Sequence, residues 1–332
     1  MKKCLLFVLT ALTLVFLFVF SPAHPVRADI GLVDIAEITE NSVTIRWDRP
    51  SYPFENVKAV VTGYKVYYGT SADKLQQYGK KLSASATKRK ITGLASKKKY
   101  YFQIKVGVNF VNQNDEIQSR DVTNYLETPI SVITLPGKIS NLLVTSADLE
   151  ERQVVFKWTA VNPYSKNYGY QYYVKTSGGK KKASGKVTTN GVRLKNITNT
   201  GYYLGKARSY CKITNREGTK YFYGEWSDWV PIMSDPMIIN AGLPDGRINV
   251  TWSEMKGVDG YDIYLYKNGW KKMYKASYTS TGATSGTIMK VNGKSFKPAW
   301  GTEYWFYIVA RKSYGGKNYY SPGNHYVPLS VG

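Results

Sequence analysis

The chain has 332 residues, with 46 Lys and Arg against 23 Asp and Glu, so its formal net charge is +23. This length allows one domain or three, and a basic charge favours anionic partners. Only one His (His325) and one Cys (Cys211) follow residue 28. This excludes a His-based catalytic triad, a histidine metal cluster and an intrachain disulfide in that part of the chain.

The first 28 residues have the pattern of a secretory signal peptide. Lys2 and Lys3 precede an apolar run over residues 4–20, and small residues lead to a cleavage site after Ala28. We therefore expect a secreted or extracellular protein. An uncleaved N-terminal membrane anchor is the alternative, because the run is long for a signal and short for a spanning helix.

A short alternating strand that ends in Trp recurs three times. In each copy apolar residues lie two apart, which predicts a strand with one face in a core and a central buried Trp. The three strands are 43–47, 154–158 and 248–252, ending at Trp47, Trp158 and Trp252.

Each of these strands is followed by a Gly-Tyr-led strand and then a Tyr-led strand. The Gly-Tyr pairs begin at Gly63, Gly169 and Gly260, and the Tyr-led strands begin at Tyr100, Tyr203 and Tyr304. A repeat of roughly 100 residues built from such strands predicts an all-β chain of three tandem β-sandwiches. Pro-containing junctions give the predicted domains 29–135, 136–233 and 234–332.

These units resemble fibronectin type III domains. That family has an apolar residue six positions before the Tyr that opens its sixth strand, as Leu94 precedes Tyr100 and Ile197 precedes Tyr203. The third unit departs from this pattern, with Pro298 at the matching position, and we expect Phe296 to take over the packing. The second unit departs at Gly205, where the family has a bulky inward residue.

Basic charge is concentrated in the middle unit, where 16 Lys and Arg face 6 Asp and Glu in residues 136–233. Its local cluster is Lys180, Lys181 and Lys182, which we take as a candidate binding site for a polyanion. The alternative is a solvated strand edge, because Lys at an edge blocks pairing with other strands.

Exposed aromatic side chains are a second candidate contact, since the chain has 29 Tyr and 8 Trp. We expect Tyr164, Tyr168, Tyr319 and Tyr320 to face outward. Trp270, which follows an Asn-Gly turn and is flanked by lysines, is a candidate ligand contact.

The most specific local motif is Gly-Glu-Trp-Ser-Asp-Trp at 224–229. It resembles the Trp-Ser-x-Trp-Ser box of cytokine-receptor fibronectin domains, except that Val230 replaces the final Ser. That resemblance implies that Trp226 and Trp229 interleave with outward cations, here Lys206 and Arg208. The motif then either stiffens the unit or, with Arg208, contacts a ligand.

These features favour a non-catalytic protein without a cofactor or metal. We expect an adhesion protein of a bacterial exterior, cell-wall associated, that binds an anionic or neutral polysaccharide or another cell-wall polymer. The alternative is a mechanical spacer or a scaffold for a protein partner. We do not expect it to bind intracellular nucleic acid.

Overall fold

A computed structural model describes residues 33–52, 58–126, 128–161, 166–215, 217–267, 274–278, 282–291 and 293–332. The predicted signal peptide lies outside these residues and stays a prediction. Two compact units are present in the described chain. Among the described residues, the first contains those up to Ala36 and within Thr44–Ile91 and Lys99–Val132. The second contains those within Glu37–Val43, Thr92–Lys98 and Ile133–Gly332.

The described residues form antiparallel sheets, with one short 3₁₀ turn at Pro244–Gly246. Within them, no helix is long and apolar enough to span a membrane. The all-β prediction is confirmed, and it follows from the period-2 alternation of apolar residues.

The N-terminal strands form a three-stranded sheet and a larger sheet. They are β1 (Val33–Ile38), β2 (Ser42–Trp47), β3 (Lys58–Gly69), β4 (Gln76–Gln77), β5 (Lys88–Thr92), β6 (Lys99–Val111), β7 (Ile117–Asn124) and β8 (Ile130–Ile133). The small sheet has the order β1-β2-β5, and the larger has the order β4-β3-β6-β7 with β8 also paired to β6.

The next strands repeat this arrangement. They are β9 (Leu143–Asp148), β10 (Gln153–Lys157), β11 (Tyr168–Thr176), β12 (Lys181–Val187), β13 (Gly191–Leu194), β14 (Tyr203–Asn215), β15 (Gly218–Tyr223) and β16 (Val230–Ile232). The sheet orders are β13-β10-β9 and β12-β11-β14-β15, with β16 paired to β14. One hydrophobic core joins the two sheets into the second sandwich.

The C-terminal strands repeat it again and form the third sandwich around a core of their own. They are β17 (Ile238–Gly242), β18 (Asn249–Trp252), β19 (Gly260–Lys267), β20 (Tyr274–Tyr278), β21 (Ser285–Thr287), β22 (Lys290–Val291), β23 (Lys294–Ser295), β24 (Thr302–Tyr314), β25 (Lys317–Tyr320) and β26 (Val327–Val331). The sheet orders are β17-β18-β21 and β20-β19-β24-β25, with β26 paired to β24 and a separate β22-β23 ribbon.

Each predicted Trp is buried beside the Tyr of the following Gly-Tyr strand. The ring centroids lie 5.3 Å apart for Trp47 and Tyr64, 5.4 Å for Trp158 and Tyr170, and 5.3 Å for Trp252 and Tyr261. These distances are typical of favourable aromatic pairs. The Trp positions therefore mark the cores, as the alternation predicts.

The Tyr that opens the sixth strand fixes the preceding corner in the later sandwiches. The Tyr203 hydroxyl accepts a hydrogen bond from the backbone N–H of Thr198, and the Tyr304 hydroxyl accepts one from the backbone N–H of Ala299. Phe296 packs edge-on against Tyr304 with ring centroids 5.8 Å apart. Phe296 therefore fills the third core near the position where the other units have Leu94 or Ile197.

Gly205 lies where two bulky side chains converge in the second core. A Cβ at this position would be 2.3 Å from Cδ1 of Ile232 and 3.1 Å from the ring of Phe156. The missing side chain thus makes room for its neighbours, which is the physical reason for the departure from the family pattern.

The prediction that Tyr168 faces outward is wrong. Tyr168 opens β11, is 5% exposed, and donates its hydroxyl to the carbonyl of Ile133. It pairs with Cys211, which lies within β14 rather than after it. Burial raises the pKa of the Cys211 thiol to about 11, so the thiol is protonated at neutral pH and chemically inert.

Candidate ligand-binding face of the second sandwich

The β11 and β14 strands bring polar and cationic side chains to the outer face of the second sandwich. On β14 the residues Gly205, Ala207 and Ser209 are buried, and Lys206 and Arg208 between them are half-buried. The period-2 geometry of a strand therefore points both cations outward. Across the sheet Lys206 pairs with Tyr173 on β11.

Two Trp rings lie between the cations of this face. Lys175 Nζ is 4.3 Å from the ring centroid of Trp229, and Lys206 Nζ is 4.5 Å from the same ring. Lys206 Nζ is also 4.5 Å from the centroid of Trp226, so one ammonium group lies between two indoles. Cations over indole faces at these distances are stabilised by the ring quadrupole.

The alternation of cations and aromatic rings continues onto β15. Arg208 Cζ lies 4.4 Å from the Trp226 centroid and 3.9 Å from the Tyr223 centroid. Lys186 Nζ, from β12, lies 4.2 Å from the ring centroid of Tyr221. We call Lys175, Lys186, Lys206, Arg208, Tyr221, Tyr223, Trp226 and Trp229 the cation–aromatic ladder.

The segment that carries the two Trp residues is fixed to β14 by Ser227. The backbone N–H of Ala207 donates to Ser227 Oγ at 3.1 Å, and the N–H of Ser227 donates to the carbonyl of Ala207 at 2.9 Å. Ser227 is buried, whereas Trp226 and Trp229 on either side of it are half-buried. The buried Ser thus presents both rings to the outer face.

Electrostatic repulsion and burial act on the cations of the ladder. Partial burial lowers the pKa of Lys206, and the neighbouring charges of Arg208 and Lys175 lower it further. Among the described residues, none of Lys175, Lys186, Lys206 or Arg208 forms an ion pair with a carboxylate. Arg208 donates a hydrogen bond from Nε to Gln171 at 2.8 Å, which is a neutral partner. The face therefore keeps its positive charge.

The three lysines of the predicted cluster are placed differently. Lys180 lies in the turn between β11 and β12, where its N–H donates to Thr176 Oγ1 at 3.1 Å. Lys181 pairs with the ladder residue Lys175, and a register shift at that point leaves Lys182 out of the pairing. The Nζ of Lys182 lies 5.7 Å from the ring centroid of Tyr203. Only Lys181 is therefore a direct neighbour of the ladder in the strand pairing.

Of the other predicted contacts, Arg208, Trp226 and Trp229 come together in the ladder, and Trp270 lies outside the described residues. Sequence reasoning missed Lys175, Lys186, Tyr221 and Tyr223. The alternation of Tyr221 and Tyr223 along one strand is a signal that these two rings share a face. Lys175 and Lys186 carry no such signal, because their position depends on strand register.

The described part of the chain offers no metal site. No group of three or more His, Cys, Asp or Glu side chains is close enough there to hold an ion. The ladder itself contains cations and rings without a carboxylate, so its chemistry is suited to binding anions and flat apolar surfaces.

The comparison with protein-family models agrees with the architecture of the N-terminal strands. Residues 28–123 match the family model of the fibronectin type III domain. The order of strands in that segment then recurs twice along the chain. Residues 28–123 therefore belong to the fibronectin type III family, and the strands after them form sandwiches with the same strand order. A search of the curated proteins found no match.

Among solved structures, the chain is similar to the crystal structure of the FN1–FN3 domains of chicken CNTN1. The identity is 16%, the match covers 90% of this chain and 96% of that chain, and the TM-score is 0.29. Fibronectin type III domains are binding, scaffold or adhesion modules, typically extracellular and typically non-catalytic. They commonly mediate protein–protein interactions.

Proposed function

We propose that this fibronectin type III protein is a secreted or cell-surface binding protein without catalytic activity. Its ligand is an anionic or carbohydrate polymer such as cell wall. The contacts are the cation–aromatic ladder and Lys180, Lys181 and Lys182 of the β11–β12 hairpin. The chain acts at the bacterial exterior as an adhesion module.

The cation–aromatic ladder is the observation that supports this proposal. Interaction with a ring stabilises a cation but does not cancel its charge, so the four cations attract an anionic polymer. The cations cover faces of these rings, so the aromatic contribution to binding comes from the ring edges that stay exposed between them. The alternative role of the ladder, which is to stiffen the sandwich, predicts no binding to a polymer.

The test is a pull-down of residues 29–332 by insoluble cell wall and by a neutral polysaccharide. We expect cell wall to retain the protein at about 50 mM salt and to release most of it at about 500 mM, because exposed charges are screened over that range. The double variant Lys181→Glu with Lys186→Glu should lose most wall binding at low salt.

The matched control changes the same charge elsewhere. Lys74→Glu with Lys88→Glu alters two exposed lysines of the N-terminal sandwich and should leave wall binding nearly unchanged. Equal loss in both variants would mean that net charge alone drives binding and would contradict a role for the ladder.

The remaining outcomes distinguish the alternatives. Salt-resistant binding to the neutral polymer would shift the contact from the cations to the exposed aromatic rings. Absence of binding to both polymers would contradict the proposal and favour a mechanical spacer or a protein-interaction scaffold.

A further inference from the structure

A cavity of about 390 Å³ lies where β25 of the third sandwich approaches the second sandwich. Its floor contains three buried aliphatic side chains, Ile139, Leu142 and Val230. A cavity of this size is within the range that holds small ligands.

The rim of the cavity carries more positive than negative charge. Lys138 Nζ and Asp228 Oδ1 form an ion pair at 2.8 Å, and Lys317 also lines the cavity. The hydrogen bond from Lys138 holds the pKa of the Asp228 carboxyl below its usual range, and the charge of Lys317 lowers it further. Two ammonium groups therefore face one carboxylate.

Tyr319 forms an aromatic wall. This half-buried side chain lines the cavity and packs against the hydrophobic cores of both the second and the third sandwich. Burial raises the pKa of its hydroxyl, so the group stays neutral and can donate or accept a hydrogen bond.

Hydrogen bonds between Asn324 and Ala147 join the third sandwich to the second. Asn324 donates from Nδ2 to the carbonyl of Ala147 at 2.7 Å and accepts the N–H of Ala147 at 2.8 Å. Within the third sandwich, the buried Asp235 carboxylate accepts the N–H groups of Gly323 at 2.8 Å and of Asn324 at 3.0 Å, which orders the loop that carries Asn324. These bonds connect the two sandwiches whose residues line the cavity, and a fixed junction reduces the cost of ordering a binding site.

We propose that this cavity binds one acidic monosaccharide unit. The acid group of the sugar contacts Lys317 and Lys138, one ring face packs on Tyr319, and the C–H groups lie over the aliphatic floor. The segment 224–229 supplies both Asp228 at this rim and the Trp rings of the ladder, so a polymer on the ladder is close to the cavity. The inference rests on the proposed function, since the unit belongs to the same polymer.

The experiment titrates residues 29–332 with D-glucuronate and with D-glucose and follows the methyl NMR signals of Ile139, Leu142 and Val230. We expect glucuronate to bind with a Kd of about 1 mM and glucose to bind at least about fivefold more weakly. Lys317→Ala should weaken glucuronate binding at least about fivefold. Lys294→Ala, an exposed lysine away from the cavity, should leave it unchanged.

A second variant, Tyr319→Leu, keeps an apolar side chain in the wall but removes the ring, and it should also weaken glucuronate binding. Absence of methyl shifts at about 50 mM glucuronate would overturn the inference, and so would equal affinity for glucose. Arg208→Gln should lose polymer binding and keep glucuronate binding. Failure at the cavity and failure of the proposed function are thus distinguishable.

Discussion

Gly205 shows how a single side chain controls packing in the second sandwich. Replacement by Ala would place a methyl group against Ile232 and Phe156, which are both fully buried in the same core. Because both are held by other core contacts, the neighbours must shift, and overpacking of this kind costs about 1–3 kcal/mol. We expect Gly205→Ala to lower the free energy of unfolding by that amount in denaturant titrations.

The control for this change is Gly178→Ala. Gly178 lies in the turn between β11 and β12, and the nearest atom to an added Cβ is Thr176 Oγ1 at 4.0 Å. We expect little change in stability there. Equal stability of Gly205→Ala and the unmodified protein would show that the core relaxes around the extra methyl group.

Individual residues were predictable where their role follows from alternation. The burial of Trp47, Trp158 and Trp252 is such a case, because each ends an apolar strand face. Tyr168 was not predictable in this way. Its position before the Gly-Tyr pair is typical of a loop, and only the register with Cys211 extends β11 to include it.

At the scale of strands, Ser227 ties the Trp-bearing segment to β14. The Ser227→Ala variant leaves the buried N–H of Ala207 without its acceptor, which costs about 1–3 kcal/mol. We expect a corresponding loss of stability and weaker protection of the Trp226 and Trp229 rings in fluorescence quenching. Ser184→Ala on the exposed part of β12 serves as the control.

The third sandwich has an equivalent pair of hydrogen bonds between a buried Ser and a strand, which offers an independent test. Ser321 Oγ accepts the N–H of Ala310 at 3.0 Å, and the N–H of Ser321 donates to the carbonyl of Ala310 at 3.0 Å. Ser321→Ala should therefore destabilise the protein to a similar extent. A neutral effect of both changes would indicate that water replaces the hydroxyl.

Alternation along β14 predicts that Lys206 and Arg208 point outward, and the resemblance of 224–229 to the Trp-Ser-x-Trp-Ser box implies that they interleave with Trp226 and Trp229. The full extent of the ladder was not predictable. Lys175 and Lys186 reach it through the pairings of β11 and β12, and strand register is not encoded in the spacing of residues within one strand. The register of β11 with β12 shifts at Lys175, so Lys181 pairs with Lys175 and Lys182 has no partner in the strand pairing.

At the scale of the whole molecule, Asn324 couples the third sandwich to the second. We expect Asn324→Ala to accelerate hydrogen exchange of the Ala147 amide about tenfold or more, because the acceptor of that amide is removed. Amide-resolved exchange of residues 29–332 measures this. Asn240→Ala, at an exposed position of β17, is the control.

Unchanged protection of Ala147 in Asn324→Ala would mean that other contacts at the junction hold the sandwiches together. One such contact is the hydrogen bond from the N–H of Lys256 to the carbonyl of Thr200 at 2.9 Å. Another is Lys312 Nζ, 5.3 Å from the ring centroid of Tyr202.

The repeat predicted the all-β architecture, since the same three strand signatures recur along the chain. The domain boundaries at 135 and 233 stay a prediction. The junction contacts were not predictable, because Asn324 and Ala147 are 177 positions apart and neither belongs to a motif. Pairs at such separation are brought together by the fold and leave no local pattern.

The ladder also bears on how tightly a surface of lysines can bind. A free Lys side chain samples many rotamers, and immobilising it costs up to about 2 kcal/mol of entropy. Lys206, held between the indoles of Trp226 and Trp229, has already lost most of that freedom in the folded protein. A ligand that docks on this face therefore has to order mainly itself, and its affinity per contact should exceed that at exposed lysines such as Lys180 and Lys181.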